Sequence, residues 1–408
     1  MKPLGPVPHG YSAVDGELAV QGIVASDLAE RAGDTPCFVY SSDMLRARVV
    51  SLRAAMPERL SIHYAMKANP YAPVLQLMAS LVDGIDIASA GELVLATAAG
   101  MDPARISFAG PGKRDRDLAA AIAAGVTLNL ESEGECTRAL AIGEKLGVQP
   151  RLAVRVNPDF DLRGSGMRMG GGAKPFGIDS DRVPALVKHI LASGAHWRGF
   201  HIFAGSQALD ADAIIETQGK TIDLAANLSD AVGHAPEHLN LGGGMGIPYF
   251  PGDTPVDIAK VGAALAERFA ALPPVLADTH FAMELGRWLV GEAGVYLTRI
   301  VDKKVSHGEL YLITDGGLHH QLAASGNFGT VVRRNYPVAI ASRFDAEPAE
   351  EANVVGCLCT PLDRLADKAH LPVAQVGDLV AVFCAGAYGA SASPADFLGH
   401  GKAPELLV

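Results

Sequence analysis

The segment HYAMKANP, residues 63–70, places Lys67 at the end of an aromatic and branched run, just before the turn residues Ala68-Asn69-Pro70. A lysine there is either a solvated strand end or an amine held in a pocket for chemistry. In LNLGGGMG, Gly242, Gly243 and Gly244 follow another apolar run, and such a turn can present backbone N–H groups to an anion. In ELGR, the carboxylate of Glu284 ends a third run, with Gly286 and Arg287 just beyond it. The arginine fork suits phosphate oxygens. Each signal also has a plain reading: a tight turn, a solvated amine, or a Glu284–Arg287 ion pair.

The elements that must position these groups decide between the readings. Eight short β-type runs alternate with Ala/Leu-rich helical stretches: 60–67, 84–89, 105–110, 126–131, 151–157, 198–205, 238–244 and 280–286. That pattern predicts an α/β fold, a TIM (β/α)8 barrel, followed by a C-terminal antiparallel β-domain from about residue 286. The expected domains are an N-terminal segment, 1–35, that joins the β-domain, a barrel over 36–285, and a β-domain over 286–408. The glycine-rich stretch 163–177 reads as a loop without regular structure. Barrel chemistry sits at the C-terminal ends of strands. The residues there are Lys67; Asp86, Ser89 and Glu92; Arg155 and Asn157; His201, Phe203 and Ser206; the glycine triplet; and Glu284 with Arg287. An amine, a glycine anion cradle and a carboxylate on one barrel face are what pyridoxal 5'-phosphate requires. The amine condenses with the aldehyde, the loop takes the phosphate, and the carboxylate keeps the pyridine nitrogen protonated.

Composition narrows the setting. The 408 residues are 49% hydrophobic and 19% charged, with a net charge of −11 and no long basic run. This argues against nucleic acid and against an anionic membrane surface. No apolar run approaches the roughly 18 residues of a membrane span, and the N-terminus lacks a signal-peptide core, so the expected location is cytoplasmic. Five scattered cysteines give neither a disulfide framework nor a CxxC metal pair. Cys357 and Cys359 in VVGCLCTPLD are expected to alternate along a strand and face opposite sides.

With these residues placed, the chain resembles the fold-type III pyridoxal-phosphate decarboxylases, the diaminopimelate and ornithine decarboxylases with an alanine-racemase-like barrel. YAMKANP, DIASAGEL, GSQ, LNLGGGMGIPY, ELGRWLVGEAG, VVGCLCTPLD, AGAYGAS and PELLV carry the resemblance in order. It implies that Lys67 bonds the cofactor and Glu284 meets the pyridine nitrogen. It further implies that Ser206, Gly243, Gly244, Arg287 and Tyr388 contact the phosphate. Cys359 matches the cysteine that protonates the substrate after carbon dioxide leaves, supplied by the partner in a homodimer with shared sites.

Departures bear on the substrate. Phe203 stands where the family has a stacking histidine. Thr360 replaces the acidic residue that binds a distal ammonium, and leaving that ammonium unpaired would cost several kcal/mol. In the segment 314–337, His319 and His320 replace the family's arginine-containing substrate stretch. KPFGID, HIFAGSQ and CTPLD, the last ending in Asp363, resemble a subgroup that includes the exosortase-associated decarboxylases and the butirosin-pathway enzyme. The latter decarboxylates glutamate carried on an acyl carrier protein. The expected substrate is therefore an amino acid lacking a distal ammonium, tethered to a carrier protein or otherwise. Lys113, Arg114 and Arg116 offer a basic patch to dock a carrier. A free diamino acid, diaminopimelate first, is the alternative. A racemase would need a tyrosine at Cys359, and a non-catalytic homologue is opposed by the intact Lys67, Glu284, Arg287 and Cys359. No metal site is expected: two adjacent strand histidines diverge, and no further ligand is spaced to help.

Overall fold

A computed structural model describes residues 2–326 and 334–408. The chain forms two compact units. One comprises residues 49–246 and 255–286, the other residues 1–48, 247–254 and 287–408.

The first unit is a closed barrel of eight parallel strands: Leu60–Ala65, Gly84–Ile87, Ile106–Phe108, Thr127–Leu130, Arg151–Asn157, His196–Ile202, His238–Asn240 and His280–Leu285. Closure comes from pairing the eighth strand with the first and the fourth with the fifth. Parallel strands covered on both faces read as continuous apolar runs, and these do: in Arg151–Asn157 every residue but the first is buried. Side-chain caps start the crossover helices. The Ser89 hydroxyl accepts from Glu92 N (3.1 Å) at Ala90–Ala98, while Glu92 reaches back to Ala88 N (2.6 Å). Ser89 and Glu92, read as strand-end residues, are thus employed in starting a helix. Stretch 163–177 is not wholly irregular, because Met167–Arg168 pairs antiparallel with Gly205–Ser206. The backbone amides of Met169 and Gly170 both find Ala204 O at 3.1 Å, which seats the loop on the end of the sixth strand.

The second unit is a mostly antiparallel sheet built on the 13-residue strand Gly294–Ser306. It pairs with Cys37–Tyr40, Leu379–Val382 and Glu309–Thr314. Residues 36–48, expected in the barrel, belong here instead. CFVY is buried throughout, so it takes a central place in this sheet between Gly294–Ser306 and Glu405–Leu407. Leu18, Val20 and Leu28 from the N-terminal segment pack with Val39, Val295, Leu297 and Phe383.

Candidate active site

The first barrel strand stops at Ala65, and Met66–Ala68 makes a single 3-10 turn. That turn is pinned: Tyr64 donates to Asn69 O (2.8 Å), Asn69 N to Met66 O (3.0 Å), and Tyr71 N to Asn69 Oδ1 (3.0 Å). Lys67 is the only exposed residue between Tyr64 and Asn69. Its side chain lines a cavity of about 500 Å³. Asp86, Phe203 and Glu284 line the same cavity, joined by His201, Arg155 and Phe176.

The Glu284 carboxyl is buried among these groups. Burial alone pushes its carboxyl up. His201 Nε2 at 2.9 Å, with Lys67 and Arg155 close by, outweighs burial and holds it well below the usual carboxylate range. Asn240 Nδ2 donates to the same oxygen at 3.3 Å. Other charges around the cavity are neutralised pairwise. Arg155 meets Glu131 at 2.8 Å, and Lys113 meets Glu135 at 2.7 Å while also donating to Gly110 O and Asn129 O. Burial lowers Lys113 and raises Glu135, each opposed by its partner. Lys113 is only 4% exposed, so it cannot join a surface docking patch as expected; Arg114 and Arg116 remain exposed. Asp86 is buried beside His63, 3.5 Å away; burial lowers the imidazole, and Asp86 raises it past its ordinary value.

The glycine triplet packs against Glu284 and against the Ser206 turn. Glu284 N donates to Gly242 O (2.9 Å), and a Cβ on Gly243 would lie 1.7 Å from Glu284 O. A Cβ on Gly244 would lie 2.6 Å from Gly205 O, and Gly242 and Gly244 both have positive φ. Only glycine allows these backbones to approach so closely. Gly286 is less tightly held, a Cβ there lying 3.0 Å from Ala68 Cβ.

The remaining candidates lie in the β unit. Arg287 donates to the Tyr249 hydroxyl (2.8 Å) and sits over the rings of Tyr249 and Tyr388. Its buried Nε has no hydrogen-bond partner among the described residues. Tyr388 holds a left-handed backbone (φ 59°). Cys357 and Cys359 do not alternate along a strand; the strand ends at Val355, and the chain folds back around the Asp363 carboxylate. Cys359 is exposed and Thr360 half-buried in that loop. His319 and His320 do not diverge either. Gly316-Gly317 turns the chain, and the two rings lie 3.8 Å apart. Part of the 314–337 segment, residues 327–333, lies outside the described residues.

Residues 42–291 match the model of a family described as pyridoxal-dependent decarboxylase, pyridoxal binding domain. This chain belongs to that family. The decarboxylase is 36% identical over 380 residues to the L-glutamyl-[BtrI acyl-carrier protein] decarboxylase of Niallia circulans, covering 92% of this chain and 89% of that one. It is 32% identical to the diaminopimelate decarboxylase of Aquifex aeolicus, over 97% and 91% of the two chains. The crystal structure of Helicobacter pylori diaminopimelate decarboxylase complexed with L-lysine superposes with a TM-score of 0.83, at 27% identity and 94% coverage of both chains. The protein is a pyridoxal-phosphate-dependent carboxy-lyase on an alanine-racemase-like barrel. The residues of the barrel fit the cofactor: an accessible amine, a carboxylate held ionised, and glycine turns so close to neighbouring backbone that a Cβ would fill the space.

Sequence reading had named His201 and Arg155 only as strand-end residues, and had passed over Asn240. Asn240 lies two residues before the triplet, and its Oδ1 accepts from Gly242 N (2.8 Å), linking the cradle to the carboxylate. A polar residue inside an apolar strand was the available signal. No helix among the described residues is long and apolar enough to cross a membrane.

Proposed function

We propose that this decarboxylase removes the α-carboxylate of an amino acid lacking a distal ammonium, a glutamate-like group tethered to a carrier protein in the first instance. Thr360 carries the reading: it follows the proposed proton donor Cys359, and an uncharged hydroxyl cannot neutralise an ammonium withdrawn from water. The similarity to the Niallia circulans enzyme supports it.

The pyridoxal ring supplies the electron sink for loss of carbon dioxide from Cα. The chain's residues do the rest. Lys67 would hold the cofactor through its side-chain amine, and as a free amine it would carry protons. Glu284, fixed by His201 and Asn240, keeps the ring nitrogen protonated. Phe203 and Asp86 line the cavity that would take the ring. Gly242, Gly243, Gly244, Gly286, Ser206, Arg287 and Tyr388 hold the phosphate. Cys359, from a second copy of the chain in a homodimer, delivers a proton to Cα. Asp363 sets the loop bearing Cys359 and Thr360, next to the histidine turn of His319 and His320.

Carbon dioxide release with glutamyl-carrier protein, free glutamate and diaminopimelate as parallel substrates tests the reading. The carrier-bound arm is expected to be fastest, and Thr360→Glu is expected to shift preference toward diaminopimelate. Faster release from diaminopimelate by the natural chain would overturn the substrate, in favour of the function named for the Aquifex aeolicus relative.

A further inference from the structure

Three loops of the β unit meet at a cluster none of whose donors lines the barrel cavity. The turn after Glu309–Thr314 brings His319, the loop after Glu350–Val355 brings Cys357, and the C-terminal stretch brings His400. One donor atom from each lies within 4.8 Å of the other two. The Cys357 Sγ to His400 Nε2 separation is 3.8 Å, and the His319 and His400 rings are 4.5 Å apart. His319 is fully buried, yet neither ring nitrogen has a hydrogen-bond partner among the described residues. A buried imidazole with both nitrogens unsatisfied is costly unless something else binds it.

The surroundings hold these donors in place. Asp363, 2% exposed, accepts from Leu318 N (2.7 Å) with one oxygen and from Leu358 N (2.9 Å) with the other. A single carboxylate therefore ties the residue beside His319 to the residue beside Cys357. Gly317 and Gly356 make room for it, since a Cβ on either would lie 2.2 or 2.3 Å from its nearer oxygen. His320 performs the same service for the third loop. Its Nε2 donates to Gly401 O (2.9 Å), beside His400, while its Nδ1 accepts from the Tyr296 hydroxyl (3.3 Å). His320 and Asp363 thus spend their polar atoms on positioning, in the manner of groups that orient metal ligands from behind.

We propose that His319, Cys357 and His400 bind one zinc-class divalent cation, with the fourth tetrahedral position open to water. The ligand set suits the ion: one thiolate and two imidazoles match its borderline softness. Around zinc, bonds of about 2.0–2.3 Å put ligand atoms about 3.3–3.6 Å apart; Cys357 Sγ and His400 Nε2, at 3.8 Å, are close to that, and all three donors lie within 4.8 Å of one another. Binding displaces the Cys357 thiol proton to solvent, with no redox step. The cation staples three loops, one of which carries Cys359 and Thr360. Its occupancy would therefore fix the loop to which the proposed function assigns the proton donor, and that consequence alone rests on the proposed function.

The full-length holoenzyme is stripped with chelator, then given zinc chloride or cobalt chloride and desalted. One zinc per chain is expected by elemental mass spectrometry. The cobalt form is expected to show near-ultraviolet thiolate-to-cobalt absorption and intense tetrahedral visible bands. Cys357→Ser and the exposed His400→Ala should lose both signals, Cys359→Ser should keep both, and Asp363→Asn should weaken zinc binding roughly 10–100-fold. Absence of bound zinc in the natural chain, or undiminished binding in Cys357→Ser, would overturn the site. Cofactor absorbance and carbon dioxide release, read on the same samples, report separately on the proposed function.

Discussion

The barrel and the β unit each bury charged and polar groups, but they treat them differently. Around the barrel cavity charges are mated directly: Glu284 with His201, Arg155 with Glu131, Lys113 with Glu135, and more loosely Asp86 with His63 at 3.5 Å. The three-loop cluster of the β unit instead ties down the neighbours, through Asp363 and His320, and leaves His319 without hydrogen-bond partners among the described residues. In the barrel, Arg155–Glu131 and Glu284–His201 join strand ends, where a parallel sheet sets register, and Lys113–Glu135 joins a strand-end loop to the helix Glu133–Leu146. In the β unit they come from loops whose meeting depends on closure around one carboxylate. A paired site is shaped electrostatically before any ligand arrives; a site with bare donors needs its ligand to complete it.

Four substitutions sharpen or break that contrast. Lys67→Ala should have the largest effect, cutting carbon dioxide release on the order of 10³-fold or more and abolishing retention of the cofactor chromophore on desalting. If the chromophore is retained as in the natural chain, the cavity is not where the cofactor is bonded. Glu284→Gln should lower kcat by roughly 10²-fold with an unchanged circular-dichroism spectrum. Because the fold holds the Glu284 carboxyl low, it contributes stability above the unfolded value of about 4.3, lost as pH falls through its lower folded value. Urea melts should therefore show a shallower acid limb in Glu284→Gln than in the natural chain. Asp363→Asn removes charge from two buried hydrogen bonds and should cost about 1.5–3 kcal/mol in urea unfolding, without changing the barrel's cofactor absorbance. Gly243→Ala should cost about 1–3 kcal/mol and weaken cofactor retention, as the new methyl group displaces the Glu284 carbonyl. Equal cofactor loss in Asp363→Asn and Gly243→Ala would erase the distinction between the two regions.

Much of this was legible from residue order. Each of the eight apolar runs became a barrel strand, because a strand buried on both faces must be apolar along its length. Lys67, Asp86, Phe203 and Glu284 were legible as strand ends, and a closed barrel gathers such ends on one side. The place of Cys37–Tyr40 was not legible: CFVY suits either unit, and only its partners Gly294–Ser306 and Glu405–Leu407 decide.

What the sequence determined by itself was therefore what periodicity encodes: the barrel, the appended β-sheet, and the identity of the groups facing the cavity. Tertiary structure alone decided that Lys113 is buried rather than on a docking surface, that His201 and Asn240 clamp Glu284, and that His319, Cys357 and His400 meet. The physical reason is range. Alternation and apolar runs are set by neighbours a few residues away, whereas those encounters join residues tens apart, through strand register and loop closure that no local pattern records.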